Sequence, residues 1–171
     1  MSGPGAPALA VSGVDPVSGQ PWSIAVVASL WHREIMDGLV AGAERALRQS
    51  GAEHRLFRVP GAFELPLAAR WTLAQMPAEP SAAPPYGADA VVALGVVIRG
   101  GTPHFEYVCQ AATAGLAQVA LESNKPVGFG LLTCDNEAEA RDRAGLGGAR
   151  EDKGAQAAEA VLAMLRLRAG Q

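Results

Sequence analysis

The stretch Asp89-Ala90-Val91-Val92-Ala93-Leu94-Gly95-Val96-Val97-Ile98, running straight into Arg99-Gly100-Gly101-Thr102-Pro103-His104, decides the fold. Its first part is almost wholly apolar and rich in β-branched residues, with no polar alternation. A strand covered on both faces reads this way, because a parallel sheet hides both of its surfaces. The second part is a break. Two glycines free the backbone, Thr102 suits an N-cap, and Pro103 suits the first position of a helix. From Phe105 to Ser123 the pattern is helical and dense in small residues, including Ala111, Ala112, Ala114, Gly115 and Ala117. Strand passes to helix through a short turn, which is the unit of a parallel sheet.

The same alternation continues on both sides. Ser23 to Ala28 is a short apolar run, followed from Glu34 to Gln49 by Ile35, Leu39, Ala43 and Leu47 at helical spacing. His54 to Val59 is a shorter, more polar strand candidate, and Ala62 to Gln75 a second helix with Pro66 in its first turn. Met76 to Gly87 carries prolines at 77, 80, 84 and 85 and reads as a surface insertion, since the pattern resumes unchanged beyond it. Val127 to Thr133 is a fourth strand. Asn136 to Arg143 is a short helix and Gly154 to Leu167 a longer one, with Ala158, Val161, Leu162 and Leu165 on one face. Residues 1–21, rich in Gly, Pro, Ser and Ala, read as a flexible N-terminal arm, and 22–171 as a single domain. Four repeats of strand and helix predict an α/β fold, a three-layer α/β/α sandwich around a four-stranded parallel sheet.

Composition narrows the function. With 49% apolar and 18% charged residues the chain is globular, and with only 5% aromatics its core must close through small residues rather than large rings. A net charge of -3 with scattered Lys and Arg offers no footprint for nucleic acid or an anionic membrane. The longest apolar run is too short to span a bilayer and the N-terminus lacks the pattern of a secretory signal, so a soluble, cytoplasmic protein is expected. Cys109 and Cys134 form no CxxC pair and read as small core residues in a reducing compartment. No spacing points to a metal.

Ligands of parallel sheets bind beyond the carboxyl ends of the strands. That rule selects four loops: around Trp31, around Ala62 to Glu64, from Arg99 to His104, and around Cys134. In the third, free N–H groups at a helix start make an anion site, and His104 beside a bound anion can move protons. Taken alone, the same turn also reads as a plain strand–helix connection with a surface histidine. Arg143 and Lys153 bracket a Gly-rich loop; they suit a phosphate grip, or equally a helix-terminal cation followed by a glycine cap. Gly61-Ala62-Phe63-Glu64 offers an aromatic face and a polar edge for a planar ligand, or simply the opening of a helix.

Together these blocks resemble the 6,7-dimethyl-8-ribityllumazine synthase family. The resemblance is carried by Trp31 after Val27-Ala28-Ser29, by Val59-Pro60-Gly61-Ala62-Phe63-Glu64-Leu65-Pro66, and by the long block Ala93 to Val108 that contains Ile98-Arg99-Gly100-Gly101-Thr102-Pro103-His104-Phe105. Phe129-Gly130-Leu131-Leu132-Thr133, Arg143-Ala144-Gly145 and Lys153-Gly154 continue it, in order, over about Ser23 to Leu167. The resemblance implies a flavodoxin-like fold and a transferase of riboflavin biosynthesis. That enzyme condenses 5-amino-6-(D-ribitylamino)uracil with 3,4-dihydroxy-2-butanone 4-phosphate, releasing phosphate and water, with no metal or organic cofactor.

By the same resemblance, Trp31 stacks on the pyrimidine, and Ala62, Phe63 and Glu64 contact its ring and ribityl chain. The backbone of Val96, Val97 and Ile98 meets the uracil edge. Gly101 and Thr102 hold the butanone phosphate with Arg143 and, in a supporting place, Lys153; Phe129 and Arg143 reach in from a neighbouring subunit. His104 is the proton-transfer residue. The family assembles as a homopentamer, and in some members as a sixty-subunit capsid; the longer loop after Arg143 and the Pro-rich segment favour a free pentamer here. That loop, the insertion at 77–85, His32 in place of a common Asn and Cys134 in place of a common Thr are departures from the family pattern. A non-catalytic riboflavin or lumazine binder, or a shell-forming protein, is the alternative expectation.

Overall fold

The computed structural model describes residues 11–74 and 87–170. Four strands, β1 Ser23–Ser29, β2 Glu53–Val59, β3 Ala90–Ile98 and β4 Val127–Cys134, form one sheet in the order β2-β1-β3-β4. Every pairing is parallel. The helices are α1 Arg33–Ser50, α2 Leu65–Leu73, α3 His104–Ser123, α4 Glu137–Arg141 and α5 Lys153–Arg168.

Side-chain alternation along the central strands builds two cores. Ile24, Val26 and Ala28 of β1 and Val92 and Leu94 of β3 point to one face, where α1 and α5 cover them through Leu39, Leu47, Val161 and Leu165. Ala25, Val27, Val91 and Ala93 point to the other, under Leu65, Ala69, Leu116 and Val119 of α2 and α3. This is the expected three-layer α/β/α sandwich with flavodoxin-like strand order. Residues 24–28 of β1 and 90–96 of β3 are apolar because they are buried on both faces. β2 is more polar because it lies at the sheet edge, with alternating exposure along its length.

Small residues do bring backbones together. A Cβ added at Gly154 of α5 would run into the Leu39 carbonyl of α1, and one added at Gly128 of β4 into the Ala157 carbonyl of α5. α5 therefore approaches both α1 and β4 at near-backbone contact, which a larger side chain at either position would prevent.

Local boundaries shift for identifiable reasons. The region expected as one helix from Ala62 starts as a 3₁₀ turn, Ala62–Glu64, and becomes α-helical only at Leu65, with Pro66 in its first turn. Pro lacks an N–H to donate, so it is tolerated there and not deeper. Its far end, Gln75, lies outside the described residues, as does the insertion at 77–85. α4 stops at Arg141, two residues earlier than expected, as the chain turns through Arg143 N–H to Ala140 O at 3.2 Å. Thr102 does not cap α3: Pro103 is the residue before the helix, and no side chain caps that end. In the arm, residues 11–21 lie against the domain. Gly13 N–H donates to Ser50 O (2.8 Å), Trp22 N–H donates to Gly13 O (2.9 Å), and Val14 bridges Pro21. These long-range bonds leave no trace in composition.

Candidate functional site

The connection after β1 passes through α1 to β2 on one side of the sheet, whereas the connection after β3 passes through α3 to β4 on the other. The carboxyl ends of β1 and β3 are thus a topological switch point, where a crevice opens between diverging loops. β1 pairs with β3 only as far as Ala28–Leu94, while β3 continues beside β4 to Ile98–Cys134. The last turn of β3, carrying Val96, Val97 and Ile98, therefore has no strand on its β1 side. Backbone groups there are available to a planar ligand with donors and acceptors on its rim.

Three loops converge on this crevice. Trp31, 68% exposed, follows β1. Its indole lies over Gly61, where an added Cβ would stand 3.7 Å from Cδ1 and Nε1 and 3.2 Å from Glu64 Oε2. Absence of a side chain at Gly61 keeps the indole and the carboxylate side by side. His32, next to Trp31, adopts φ 55, a left-handed conformation rare for a residue with a Cβ. Local strain of this kind concentrates at binding sites.

On the α2–α3 side lies an open cleft of about 600 Å³, lined by Phe63, Glu64, His104, Tyr107, Val108, Gln110 and Ala111. Phe63 and Tyr107 are exposed at 64% and 70%, unusual for rings of that size. Ala62, by contrast, is buried in the α2–α3 core and supports the turn that presents Phe63. Tyr107 and Gln110 escaped the sequence reading; their spacing of three and six from His104 puts them on one helical face with it, which is the signal that would have found them.

Above the cleft the turn Arg99–Thr102 stands clear of the domain. Neither Gly100 nor Gly101 has another group within 4 Å of where a Cβ would be. The N-cap position of α3 makes no side-chain hydrogen bond, and an uncapped helix start favours a phosphate.

The remaining expected residues sit elsewhere. Phe129 is paired opposite Ala93 on the edge strand β4 and is 48% exposed. Arg143 follows α4 and donates from Nη1 to Glu139 O at 2.8 Å. Lys153 N–H donates to Arg143 O at 2.9 Å, and Ala144 bridges Asp152, so the loop 144–152 closes at its neck and keeps Arg143 and Lys153 together. The Lys153 side chain turns inward, only 13% exposed; it pairs with Glu151 and donates to Gln156 Oε1 at 2.7 Å. Phe129, Arg143 and Lys153 do not line the cleft that holds His104. The candidate residues therefore form two groups on the chain: Trp31, Ala62–Glu64, residues 96–98 and residues 101–104 around the switch point, and Phe129, Arg143 and Lys153 along and beyond β4.

A doubly wound parallel sheet with an aromatic-walled cleft and an anion turn at its switch point defines a small-molecule-binding α/β protein. Sequence comparison narrows this. The family model for 6,7-dimethyl-8-ribityllumazine synthase matches residues 21–169, and the chain belongs to that family. A relative named 6,7-dimethyl-8-ribityllumazine synthase from Kineococcus radiotolerans is 60% identical over 166 residues, covering 96% of this chain and 91% of the relative. Relatives of the same name from Leifsonia xyli subsp. xyli (56% identical; 95% of this chain and 94% of the relative) and Streptomyces coelicolor (53%; 95% and 92%) are similarly close. Among the described residues no helix is long and apolar enough to cross a membrane.

Proposed function

We propose that the protein condenses 5-amino-6-(D-ribitylamino)uracil with 3,4-dihydroxy-2-butanone 4-phosphate to give 6,7-dimethyl-8-ribityllumazine, releasing phosphate and water. The observation that carries this reading is the meeting of Phe63, Glu64 and His104 in one cleft at the switch point, next to Trp31, in a chain of this family. The pyrimidine stacks on Trp31 and is bounded by Ala62, Phe63 and Glu64, with its edge on the backbone of Val96, Val97 and Ile98. The phosphate sits on Gly101 and Thr102 at the start of α3. The substrate amine attacks the ketone to form an imine with loss of water, phosphate is eliminated to leave an enol that tautomerises to a carbonyl, and the second amine attacks that carbonyl and closes the ring with loss of a second water. Every step moves protons and none requires a protein nucleophile, so His104 as proton shuttle and the close approach of two bound substrates carry the rate.

The reading places the catalytic unit in residues 22–171 of a homopentamer, as a free ring. Its support is the division of site residues between two surfaces, together with a stripe of exposed apolar side chains, Phe63, Leu67 and Trp71, at helical spacing. A cyclic head-to-tail interface joins two different surfaces of one chain. It would bring the partner subunit's Phe129 and the partner subunit's Arg143 to the cleft, with Lys153 supporting Arg143 from behind through its backbone. The two unpaired cysteines and small-molecule substrates suit a cytoplasmic enzyme. No observation favours a non-catalytic binder or a shell protein.

Mixing the purified protein with both substrates and following lumazine fluorescence and phosphate release tests the reading; product no faster than the uncatalysed background would overturn it. Arg143→Ala removes a charge-assisted grip on phosphate, and apparent KM is expected to rise about 10–100-fold for the butanone phosphate alone. Equal losses for both substrates would contradict the role given to Arg143.

A further inference from the structure

The turn that receives the phosphate has almost no packing of its own, yet its ends are held. The residue that holds them is Arg99. Its backbone N–H donates to Cys134 O at 2.9 Å, fixing the start of the turn to the end of β4. Its side chain then reaches past Gly100–His104 to the residues that follow. The guanidinium stacks on the Phe105 ring, 4.2 Å from the centroid, and pairs through Nη1 with Glu106 in the first turn of α3. Through Nε it also donates to Asp135 Oδ1 at 2.7 Å. Asp135 is held in turn, its N–H donating to Glu139 Oε2 at 3.1 Å.

We propose that Arg99 is the positioning residue of the phosphate turn, a staple that closes the chain from residue 99 to residues 105 and 106 and ties that loop to the end of β4. Nε and Nη1 are turned to carboxylates and the face of the group lies on the Phe105 ring, so the guanidinium is committed to the residues that flank the turn and Arg99 acts through them. Only a planar fork can meet two carboxylates and a ring face at once. The two carboxylates hold the guanidinium in its charged form, and Arg99 keeps the Glu106 carboxyl below its ordinary range. The charge on Arg99 also offsets those of Glu106 and Asp135 beside an incoming anion.

The inference rests on the reading that this turn binds the phosphate of the ketone substrate, and two measurements separate the fates of the two ideas. The first is steady-state KM for each substrate; the second is calorimetric binding of inorganic phosphate, which needs no turnover. For Arg99→Gln, KM for the butanone phosphate is expected to rise about tenfold and phosphate binding to weaken by a similar factor, with KM for the pyrimidine within about twofold. Arg99→Lys is expected to behave like Arg99→Gln, because one ammonium cannot hold all three partners. Restoration of wild-type values by Arg99→Lys, an equal rise in both KM values, or no change in either would overturn the proposal. Should Arg99→Gln fail to fold by circular dichroism, Asp135→Ala cuts one arm from an exposed loop. About a threefold rise in KM for the butanone phosphate then supports the staple, and an unchanged value overturns it. A wild-type protein that forms no product overturns the functional reading, while the phosphate-binding comparison still decides the staple.

Discussion

Replacing Gly154 by alanine sets two effects of opposite sign against each other. In an isolated helix the substitution stabilises by about 1 kcal/mol, since glycine loses more backbone entropy on folding. Here the new Cβ would lie 2.7 Å from Leu39 C and 2.9 Å from Leu39 Cα, and closer still to the carbonyl oxygen. The oxygen sets the shift: comfortable carbon–oxygen contact is about 3.2 Å, so the start of α5 must retreat from α1 by more than about 1 Å. The neighbouring atoms are backbone and cannot swing aside. Overpacking of this kind costs about 3 kcal/mol at the upper end of its usual range, leaving a net loss of about 2 kcal/mol. For a domain of this size that corresponds to a fall in Tm of about 4–8 °C. Thermal unfolding at fixed protomer concentration measures it, since any assembly makes Tm concentration-dependent. The retreat also drags Lys153, whose N–H holds Arg143 O, so KM for the butanone phosphate should rise about threefold with the pyrimidine little affected. A rise in Tm would refute the reasoning, because it would mean that propensity decides and that the two helices have room between them.

Other outcomes follow from the site and its surroundings. His104→Ala should lower turnover about 100-fold without abolishing it, both KM values staying near wild type, because substrate proximity survives the loss of the proton shuttle; an unchanged turnover would remove His104 from the chemistry. Arg141 meets both oxygens of Glu34, at 2.7 and 2.5 Å, and holds that carboxyl below its ordinary value of 4.5. The pair's contribution is present above that range and fades as pH falls through the lower folded value, so Glu34→Gln should flatten the acid limb of the Tm–pH curve, and parallel limbs would contradict it. Burial pushes the Cys134 thiol up and seals it in the core. Iodoacetamide at about pH 8 should therefore label it only after denaturation, and rapid native labelling detected by mass spectrometry would show that the end of β4 opens.

The fold was legible where local pattern and tertiary environment agree. β3 reads as a buried strand because residues 90–96 are covered and only its last two are half-buried, and β2 reads as weaker because it is an edge. What the pattern misplaced were termini, and what it did not carry were long-range partners. Thr102 has every local quality of an N-cap, but the helix starts two residues later, where the chain has cleared the glycines. Lys153 has the residue type and spacing of a phosphate ligand. Its partner Glu151, however, is placed by a loop whose path depends on left-handed Gly145 and Gly148 and on Asp152 pairing with Arg45 of α1. None of those contacts has a local sequence signature. Arg99 was overlooked as a positioning group for the same reason: its two ion-pair partners are seven and thirty-six residues away.

These long-range ties explain why one short stretch can serve both groups of site residues. Glu139 receives the Asp135 N–H on its side chain and the Arg143 guanidinium on its carbonyl, while Asp135 receives Arg99. The proposed phosphate turn at the switch point and Arg143 beyond β4 are thus anchored to the same five residues, Asp135 to Glu139, and those residues are fixed by the Asn136 side chain, which caps α4 by accepting Glu139 N–H at 2.9 Å. An exposed arginine on a flexible stem spends side-chain entropy each time it orders around a ligand, about 2 kcal/mol for a fully free chain. Anchoring Arg143 at Nη1 before any ligand arrives removes part of that cost and leaves the other face of the guanidinium to meet an anion. In the proposed ring, every subunit would then present its own turn to one substrate and its arginine to the next subunit's, with both held by one small frame at the end of β4.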